Sequence, residues 1–284
     1  MTSIREFAPA KINLTLEVAG RRGDGLHLIE SLVAFADVGD VVTLDTEGAP
    51  GVRVAGPMAS ALAGPNILSR ALTLIAERAL QLVLGSVTLE KHLPVAAGIG
   101  GGSADAGALL RAVRRANGPA SDGVDWQGFA RALGADVPVC LESRPLWMTG
   151  IGDALAEIPG GLPPFHAVLV NPMAAVPADK TARVFRALGA RPVRADYAAP
   201  AAPDFADRNA LLAFMRARGN ALARAAEAVV PETVAVREAL AALPGIDYAA
   251  VSGAGPTCFG IFPSREVAEA GRARLAAAHP AWWV

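Results

Sequence analysis

The sequence predicts an α+β protein built from two domains. A chain of 284 residues suits about two domains of ordinary size. Strand and helix patterns alternate in the first half, and from about Gly160 the order becomes strand, helix, two strands, helix and strand. That second order is the split βαβ arrangement of ferredoxin-like domains. We therefore expect residues 1–160 and 161–284 to form the two domains.

The first half opens with an alternating pattern. From Ile12 to Val18 apolar and polar residues alternate, which predicts a half-buried strand with Lys11 and Asn13 on its polar face. A loop rich in glycine and charge, residues 20–25, follows this strand. A second β-like run then extends over residues 31–44.

Helical patterns lie on both sides of a glycine-rich segment. Asn66 is placed to cap a helix whose apolar residues keep helical spacing to Leu82. Residues 87–89 predict the strand that leads into the glycine-rich segment. We expect a helix to open near Ser103 and to end before Asn117-Gly118.

A further helix, around Trp126, is expected to end at Gly134. Pro138 disfavours helical geometry at Val137, the residue before it. Asp136 is therefore expected at a junction between elements and not inside a helix.

The second half follows the split βαβ order with additional helices. In chain order we predict a strand at Ala167–Val170, a helix at Lys180–Leu188, a surface connection at Arg191–Asp204, further helices, strands at Tyr248–Ser252 and Cys258–Phe262, a helix capped by Ser264, and a short terminal run at Trp282–Val284.

Residues 94–104, called the glycine loop below, predict a phosphate-binding segment. Four of the five residues from Gly98 to Gly102 are glycine. Glycines let consecutive backbone N–H groups converge on an anion, and a helix N-terminus adds unpaired amides and a positive dipole end. The spacing fits neither a Walker A loop, since Ala108 follows Gly107, nor a dinucleotide fingerprint. A flexible strand-to-helix turn is the alternative.

Composition excludes several other classes of protein. Hydrophobic residues make up 52% of the chain, charged residues 19%, and the net charge is −1. We find no membrane-length apolar run and no signal peptide at the start. Cys140 and Cys258 form neither a metal cluster nor a disulfide framework, and we expect buried thiols. These features predict a cytoplasmic protein with no nucleic-acid or membrane partner.

Lysine is scarce in this chain. Of the 26 basic residues only Lys11, Lys91 and Lys180 are lysine. Lysine carries a compact point charge, whereas arginine presents a wide planar fork. We expect some of these lysines to lie where arginine cannot serve, such as beside a reacting phosphate.

Several segments together resemble the GHMP family of small-molecule kinases. They are residues 8–14 with 24–27, residues 93–107, and residues 252–257. Residues 133–138 resemble one branch of that family, which acts in isoprenoid biosynthesis on an acceptor that carries cytidine diphosphate. The similarity covers nearly the whole chain, in the expected order.

The resemblance implies a fold and a reaction. The fold is a ribosomal-protein-like α/β domain followed by a ferredoxin-like domain, with substrates in the cleft between them. ATP is the implied phosphoryl donor, with Mg²⁺, and an alcohol hydroxyl of a small molecule with a cytidine diphosphate moiety is the acceptor. We expect a monomer or a homodimer.

The resemblance also assigns roles to residues. Lys11 and Asp136 match the catalytic lysine and aspartate, and Asn66 matches a position near the adenine. No residue is assigned as a metal ligand, although Ser103 can contact Mg²⁺ or phosphate. The glycine loop would wrap the nucleotide phosphates with Pro94, Val95, Ala96, Ala97, Gly98, Ile99, Gly100, Gly101, Gly102, Ser103 and Ala104.

The acceptor's cytidine end is assigned to four other residues. Asn13 and His27 match positions that hold it. The residue before His27 is usually aromatic and stacks on cytosine, but here it is Leu26, which loses the stacking and keeps only apolar contact. Phe185 lies where the family commonly places a second aromatic ring against that base.

Each assignment has a structural alternative. Lys11 could be a solvated strand lysine, and Asp136 a helix cap. Ser103 could merely cap its helix, and for Asp105 capping is the favoured interpretation. His27 could be solvated. The glycines of residues 253–255 could form only a hairpin turn, although we favour a turn that reaches towards the nucleotide or acceptor.

Three other functions compete with the implied one. A related kinase acting on homoserine, mevalonate or a sugar would share the glycine loop. A nucleotide-binding regulator would bind without turnover, but the presence of both Lys11 and Asp136 disfavours it. An NAD-dependent oxidoreductase lacks support from the glycine spacing.

Overall fold

The computed structural model describes residues 3–62 and 66–284, which form an α+β chain. The strands are β1 (Ser3–Asn13), β2 (Glu17–Arg21), β3 (His27–Asp45), β4 (Gly51–Ala55), β5 (Ser86–Glu90), β6 (Leu146–Thr149), β7 (Ala154–Ala156), β8 (His166–Val170), β9 (Tyr248–Val251) and β10 (Cys258–Phe262). The α-helices are α1 (Ile67–Arg78), α2 (Gly101–Asn117), α3 (Trp126–Leu133), α4 (Val137–Glu142), α5 (Lys180–Leu188), α6 (Arg208–Arg218), α7 (Ala223–Val229), α8 (Glu232–Ala241) and α9 (Arg265–Ala278).

One compact unit contains the chain up to Lys11, Phe35–Val95 and Gly100–Arg144. Within it, residues 41–45 of β3 pair antiparallel with β5, and β4 lies parallel to β5. Helices α1, α2, α3 and α4 pack on one another and bury their apolar sides. Strand β5 is followed by residues 91–93 and then by the glycine loop, which continues into α2.

The other compact unit contains Ile12–Ala34, Ala96–Ile99 and Pro145–Val284. Here β2 and β6 pair with the first part of β3, and β7 pairs with β6. A second, antiparallel sheet has the order β8-β10-β9. Its core includes Val168, Val170, Val184, Leu222, Val236, Leu240, Val251, Phe262 and Leu275. The contiguous division at residue 160 stays a prediction.

The end of the chain adds a reduced fourth strand to this second sheet. Asn171, the residue after β8, forms an antiparallel bridge with Trp283. The two backbone hydrogen bonds measure 2.8 and 3.0 Å. The order from the terminal run through β8 and β10 to β9 is ferredoxin-like, with the last strand shortened to one bridge.

The strand predicted over residues 12–18 is broken, because β1 ends and β2 begins with three residues between them. Thr15 lies in the gap, and its Oγ1 accepts the backbone N–H of Leu32 at 3.2 Å. The backbone N–H of Leu16 donates to the carbonyl of Gly219 at 2.9 Å. Side-chain and long-range bonds thus replace the regular ladder here.

Most predicted helices agree closely with the structure, and two details are wrong. Helix α1 ends at Arg78, earlier than the predicted Leu82. Val137 is helical, because it opens α4 with Pro138 in the first turn. Proline is tolerated there since the first N–H groups of a helix have no intrahelical partner. Asp136 does lie at the junction, as the residue before α4.

Both cysteines are buried free thiols, as predicted. Burial raises the pKa of Cys258 to about 12 and also raises the pKa of Cys140. Both thiols are therefore protonated at neutral pH and poor nucleophiles. In the described part of the chain, no helix has the length and apolar character to cross a membrane.

Candidate active site

Lys11 and Asp136 form a close ion pair in the first unit. Lys11 belongs to β1, and its Nζ lies 2.9 Å from Oδ2 of Asp136. The lysine side chain is 4% exposed and the aspartate side chain 38%, so the alternative of a solvated strand lysine does not hold. The Asp136 side chain accepts no capping hydrogen bond from α4. The pair therefore presents a carboxylate that is bound on one side by an ammonium and open to solvent on another.

Gly100 connects this pair to the glycine loop. It is the N-cap residue of α2 and has a φ of 63°. A Cβ at this position would lie 3.0 Å from Cβ of Lys11 and 3.3 Å from its Cε. Only glycine combines this positive φ with so close an approach at no cost. The start of α2 thus packs directly on the stem of Lys11.

The first turn of α2 presents backbone N–H groups. The helix begins at Gly101, two residues before the expected Ser103, so Ser103 is not the cap. The first intrahelical bond runs from the N–H of Ala104 to the carbonyl of Gly100 at 2.8 Å. The N–H groups of Gly101, Gly102 and Ser103 precede that bond. This arrangement and the helix dipole favour an anion.

The part of the glycine loop before α2 has an alternating backbone. Ala96, Gly98 and Gly100 have positive φ, at 54°, 79° and 63°. The intervening Ala97 and Ile99 are buried. Left-handed residues at alternate positions are typical of anion-binding backbone nests. The loop geometry therefore agrees with a phosphate-binding segment.

A second glycine turn, residues 252–257, supports the loop from within the second unit. The Ser252 hydroxyl donates to the carbonyl of Gly98 at 3.2 Å, and the N–H of Thr257 donates to the carbonyl of Ala97 at 3.0 Å. A Cβ at Gly98 would lie 2.4 Å from the carbonyl oxygen of Gly255. The turn thus contacts the loop backbone, and its contact with a nucleotide or acceptor stays a prediction.

Lys180, at the start of α5, is buried. Its Nζ donates to the carbonyl of Gly255, inside the turn of residues 252–257. A buried ammonium thus fixes the turn that supports the glycine loop. In the sequence, only the scarcity of lysine points to Lys180.

Lys91 is the centre of a buried charged cluster in the first unit. Its Nζ donates to Oδ2 of Asp40 at 2.5 Å and to Oδ2 of Asp105 at 2.9 Å. Each side chain is at most 3% exposed. Oδ1 of Asp40 accepts the N–H groups of His92 and Leu93 at 2.6 and 2.8 Å. The prediction that Asp105 caps α2 is wrong, and neither its pairing nor Asp40 was foreseen.

The cluster shifts the titration of its members. Burial raises the pKa of Asp105 to about 8, with Lys91 opposing the shift and the Asp40 carboxylate adding to it. Burial also acts to lower the pKa of Lys91, but the two carboxylates outweigh it and the net shift is upward. Lys91 therefore stays charged throughout the neutral range.

Asp105 predicts a pH dependence of stability. Its folded-state pKa of about 8 lies above the unfolded value of about 4, so the native state binds the proton more tightly. The resulting stabilisation is complete below about pH 4 and is lost as the pH rises through about 8. We expect Asp105→Asn, which cannot ionise, to flatten this fall in the free energy of unfolding.

Urea unfolding of wild type and Asp105→Asn at pH 5, 6.5 and 8 measures this difference. The slope of stability against pH should be less negative for the variant. Parallel curves for the two proteins would contradict the proposed protonation of Asp105.

Two of the four predicted acceptor residues, His27 and Phe185, are in contact in the second unit. The rings of His27 and Phe185 stack with centroids 4.6 Å apart and planes at 28°. Leu26, the residue before His27 in the chain, is 46% exposed. Burial, and then the charge of Arg21, lowers the pKa of His27, so the imidazole is mostly neutral at pH 7. The His27 and Phe185 rings thus form a partly exposed stacked pair.

Asn13, the fourth, is 1% exposed and lies in a hydrogen-bond network. Its Nδ2 donates to the Ser31 hydroxyl at 2.7 Å, and its backbone N–H donates to the Ser252 hydroxyl at 3.2 Å. It therefore links the end of β1 to the turn of residues 252–257. A contact between Asn13 and cytidine stays a prediction.

Asn66 caps α1, as predicted. Its Oδ1 accepts the backbone N–H groups of Leu68 and Ser69, both at 3.0 Å. The cap fixes the position of Asn66 at the start of the helix. Its proximity to adenine stays a prediction.

Two family models match the chain. The model of the GHMP kinase N-terminal domain matches residues 66–144, and the model named GHMP kinases C terminal matches residues 198–281. The first covers α1 through α4, including the glycine loop and Asp136. The second covers α6 through α9 with strands β9 and β10.

Curated relatives match over nearly the full chain. A 4-diphosphocytidyl-2-C-methyl-D-erythritol kinase of Rhodopseudomonas palustris is 45% identical over 99% of this chain and 96% of its own length. The protein of the same name from Paracoccus denitrificans is 46% identical over 99% of this chain and 94% of its own length.

Solved structures show the same likeness. A crystal structure of 4-(cytidine 5'-diphospho)-2C-methyl-D-erythritol kinase matches with a TM-score of 0.73 and 33% identity, over 99% of this chain and 97% of that one. Homoserine kinase of Cytophaga hutchinsonii matches with a TM-score of 0.62 and 19% identity, over 99% of this chain and 91% of that one. At 19% identity, the match to homoserine kinase shows a shared fold and no more.

Proposed function

The chain belongs to the GHMP kinase family, and from that premise we propose that it is an ATP-dependent kinase acting on 4-diphosphocytidyl-2-C-methyl-D-erythritol. It phosphorylates the 2-hydroxyl group of this compound in the non-mevalonate route to isoprenoid precursors. The observation that carries the proposal is the ion pair of Lys11 and Asp136, 2.9 Å long, with Gly100 of the glycine loop packed on the lysine.

The chemistry follows from the placement of these groups. The acceptor hydroxyl oxygen forms a bond to the γ-phosphorus of ATP, the bond from that phosphorus to the bridging oxygen breaks, and ADP leaves. Asp136 accepts the hydroxyl proton. The ammonium of Lys11 stabilises the carboxylate and the charge on the transferred phosphoryl group. Backbone N–H groups at the start of α2 hold the phosphates.

Mg²⁺ enters this scheme as a complex with ATP. It commonly takes one or two protein ligands and completes its shell with phosphate oxygens and water. Among the residues that the structure describes, no group of three or more His, Cys, Asp or Glu side chains could hold a metal ion. The partly exposed hydroxyl of Ser103, in the first turn of α2, fits a contact with the metal or a phosphate. Asp105 is committed to Lys91 instead.

The cytidine end of the acceptor is assigned to the surface formed by Leu26, His27 and Phe185. The stacked rings offer a flat apolar face to a base, and the neutral imidazole offers one donor and one acceptor. Leu26 precedes His27 in the chain, is exposed, and would supply apolar contact without a ring.

Leu26→Tyr tests this surface. If Leu26 contacts the cytosine, a tyrosine ring should tighten cytidine binding by ~0.5 to 1.5 kcal/mol, the usual value of an aromatic pair beyond its buried area. We expect a lower KM for the cytidine acceptor and an unchanged KM for ATP. Titrations of wild type, Leu26→Tyr, Phe185→Ala and the double variant form a mutant cycle. No tightening by tyrosine and no loss on Phe185→Ala would place the base elsewhere.

Two alternatives make different predictions. Another GHMP-type kinase would release ADP with homoserine, mevalonate or a sugar. A nucleotide-binding regulator would bind ATP and release none. Two observations favour the proposed acceptor. The sequence contains both Asp136 and residues 24–27, and the chain is 45% identical to relatives named for this kinase.

A coupled ADP-release assay over a panel of acceptors separates these functions. The panel contains the cytidine acceptor, homoserine, mevalonate and galactose, with NAD reduction as a control reaction. We expect ADP release with the cytidine acceptor alone. Faster release with another alcohol, or none with any, would reject the proposed function.

The proposed substrates are small and water-soluble, which agrees with a location in the cytoplasm. We place the enzyme in the cytoplasm as a monomer or a homodimer. It would need neither a nucleic acid nor a membrane as partner.

A further inference from the structure

We propose that Lys91, together with Asp40 and Asp105, is a positioning element that fixes both ends of the glycine loop and thereby sets the affinity for ATP. The inference rests on the proposed function for its ligand. It concerns residues that the transfer chemistry itself does not use. All three side chains are almost completely buried, so none of them can contact a substrate in this conformation.

The contacts reach both ends of the loop. Asp40 accepts the N–H groups of His92 and Leu93, the two residues directly before the loop. Asp105 is the first residue after it and lies inside α2. Lys91 Nζ donates to the carboxyl groups of Asp40 and Asp105, at 2.5 and 2.9 Å. One ammonium therefore joins the entry and the exit of the loop.

Joining the ends restricts the conformations that the loop can adopt before a ligand arrives. A phosphate-binding loop held in its bound conformation loses less entropy on binding than a mobile one. The ion cluster thus acts on nucleotide affinity through the backbone.

The size of the cationic group matters at this position. A Cβ on Gly101 would lie only 3.2 Å from Lys91 Nζ, so the ammonium is close under the first turn of α2. A guanidinium is wider and needs more space. Arginine here would displace Gly101, whose backbone N–H is one of those proposed to bind phosphate. This explains a lysine in a chain where most basic residues are arginine.

Stability alone does not account for the cluster. Burying one ammonium with two aspartate carboxyl groups carries a large desolvation cost, and apolar replacements of buried ion pairs are often neutral or stabilising. Oδ1 of Asp105 has no hydrogen-bond partner among the described residues, which adds to this cost. A role in fixing the loop explains why an arrangement with these costs is present.

Four variants test the inference: Lys91→Met, Lys91→Arg, Asp105→Ala and, as the matched control, Asp105→Asn. The asparagine keeps an oxygen acceptor for Lys91, whereas alanine removes it. Hydrogen–deuterium exchange of the protein without nucleotide reports on residues 92–104 directly. Steady-state kinetics then give KM for ATP and for the cytidine acceptor separately.

We expect Lys91→Met and Asp105→Ala to raise exchange in residues 92–104 while leaving β8 to β10 unchanged. KM for ATP should rise at least ~10-fold with KM for the acceptor unchanged, because only the nucleotide loop is loosened. Lys91→Arg should also raise KM for ATP. Asp105→Asn should stay close to wild type in both measurements.

Two results would overturn the inference. One is unchanged exchange in residues 92–104. The other is exchange raised across the whole chain, with a lower Tm and equal changes in the KM for ATP and the KM for the acceptor. If Lys91→Met does not fold, the other variants decide by the same criteria. Failure of all of them to fold would assign the cluster a purely structural role. Exchange is read without turnover, so this outcome is independent of the acceptor panel.

Discussion

Asp136→Asn and Lys11→Met will each lower kcat by at least ~10²-fold while the protein folds and still binds ATP. Asparagine cannot accept the acceptor's proton, and methionine fills the buried space of the lysine stem without its charge. Both losses act in the transition state, so kcat should fall more than substrate affinity. Steady-state kinetics and thermal melting measure the two effects.

Asp125→Asn is the matched control. Asp125 also precedes a helix, but its Oδ1 accepts the N–H of Gly128 at 2.7 Å and so caps α3. Asparagine is an equally good cap, so this variant should keep both kcat and stability near wild type. Near-normal kcat in Asp136→Asn or Lys11→Met, with an intact melting curve, would remove the residue from the catalytic pair.

Gly102→Val should abolish ATP binding and leave the fold and the binding of a cytidine ligand intact. A Cβ at Gly102 would lie 3.8 Å from Cγ2 of Ile67, an ordinary contact, and the glycine is exposed. The free protein therefore has room for the side chain. Bound phosphate would not, because the valine branches would stand where the backbone N–H groups meet it.

Calorimetric titration with a non-hydrolysable ATP analogue checks this result. Gly102→Ala serves as a graded variant and should weaken binding less than valine. Gly101→Val is a poorer test, because its Cβ would also press on Lys91 Nζ at 3.2 Å. An unchanged ATP affinity for Gly102→Val would count directly against the glycine loop as the phosphate site.

Elements with strong local signals were predictable from sequence. Helix α5 has the predicted bounds Lys180–Leu188, and β10 has the predicted bounds Cys258–Phe262. The caps at Asn66 and Ser264 also form, with side-chain oxygens that accept backbone N–H groups. In each case periodicity, a cap or a terminating glycine is present within a few residues, so local chemistry decides the structure.

Features that depend on distant residues were not predictable. Asp105 has the local pattern of a helix cap, yet its partner is Lys91 on the other side of the glycine loop, and Lys91 also binds Asp40, 51 positions before it. Thr15 interrupts a regular alternation because its hydroxyl meets Leu32 on another strand. Periodicity reports which side of a strand is apolar and carries no information about such pairings.

Some features of the candidate site were also predictable from the sequence, and others required the structure. The glycine loop and the types of residue at Lys11 and Asp136 were visible in the sequence, whereas their 2.9 Å contact required the fold. Phe185 was expected to face cytosine, but the structure shows only that its ring lies against His27.

The position of the transferred phosphate tests the central claim most directly. In 4-diphosphocytidyl-2-C-methyl-D-erythritol the 2-carbon carries a methyl group and no hydrogen, so a phosphate on its oxygen has no three-bond coupling to a proton. Phosphorus NMR of the product formed with ATP should therefore show a new phosphomonoester singlet, at one equivalent per ADP released. A triplet or doublet from a phosphate on a carbon that bears hydrogen, or no new phosphomonoester, would contradict the account.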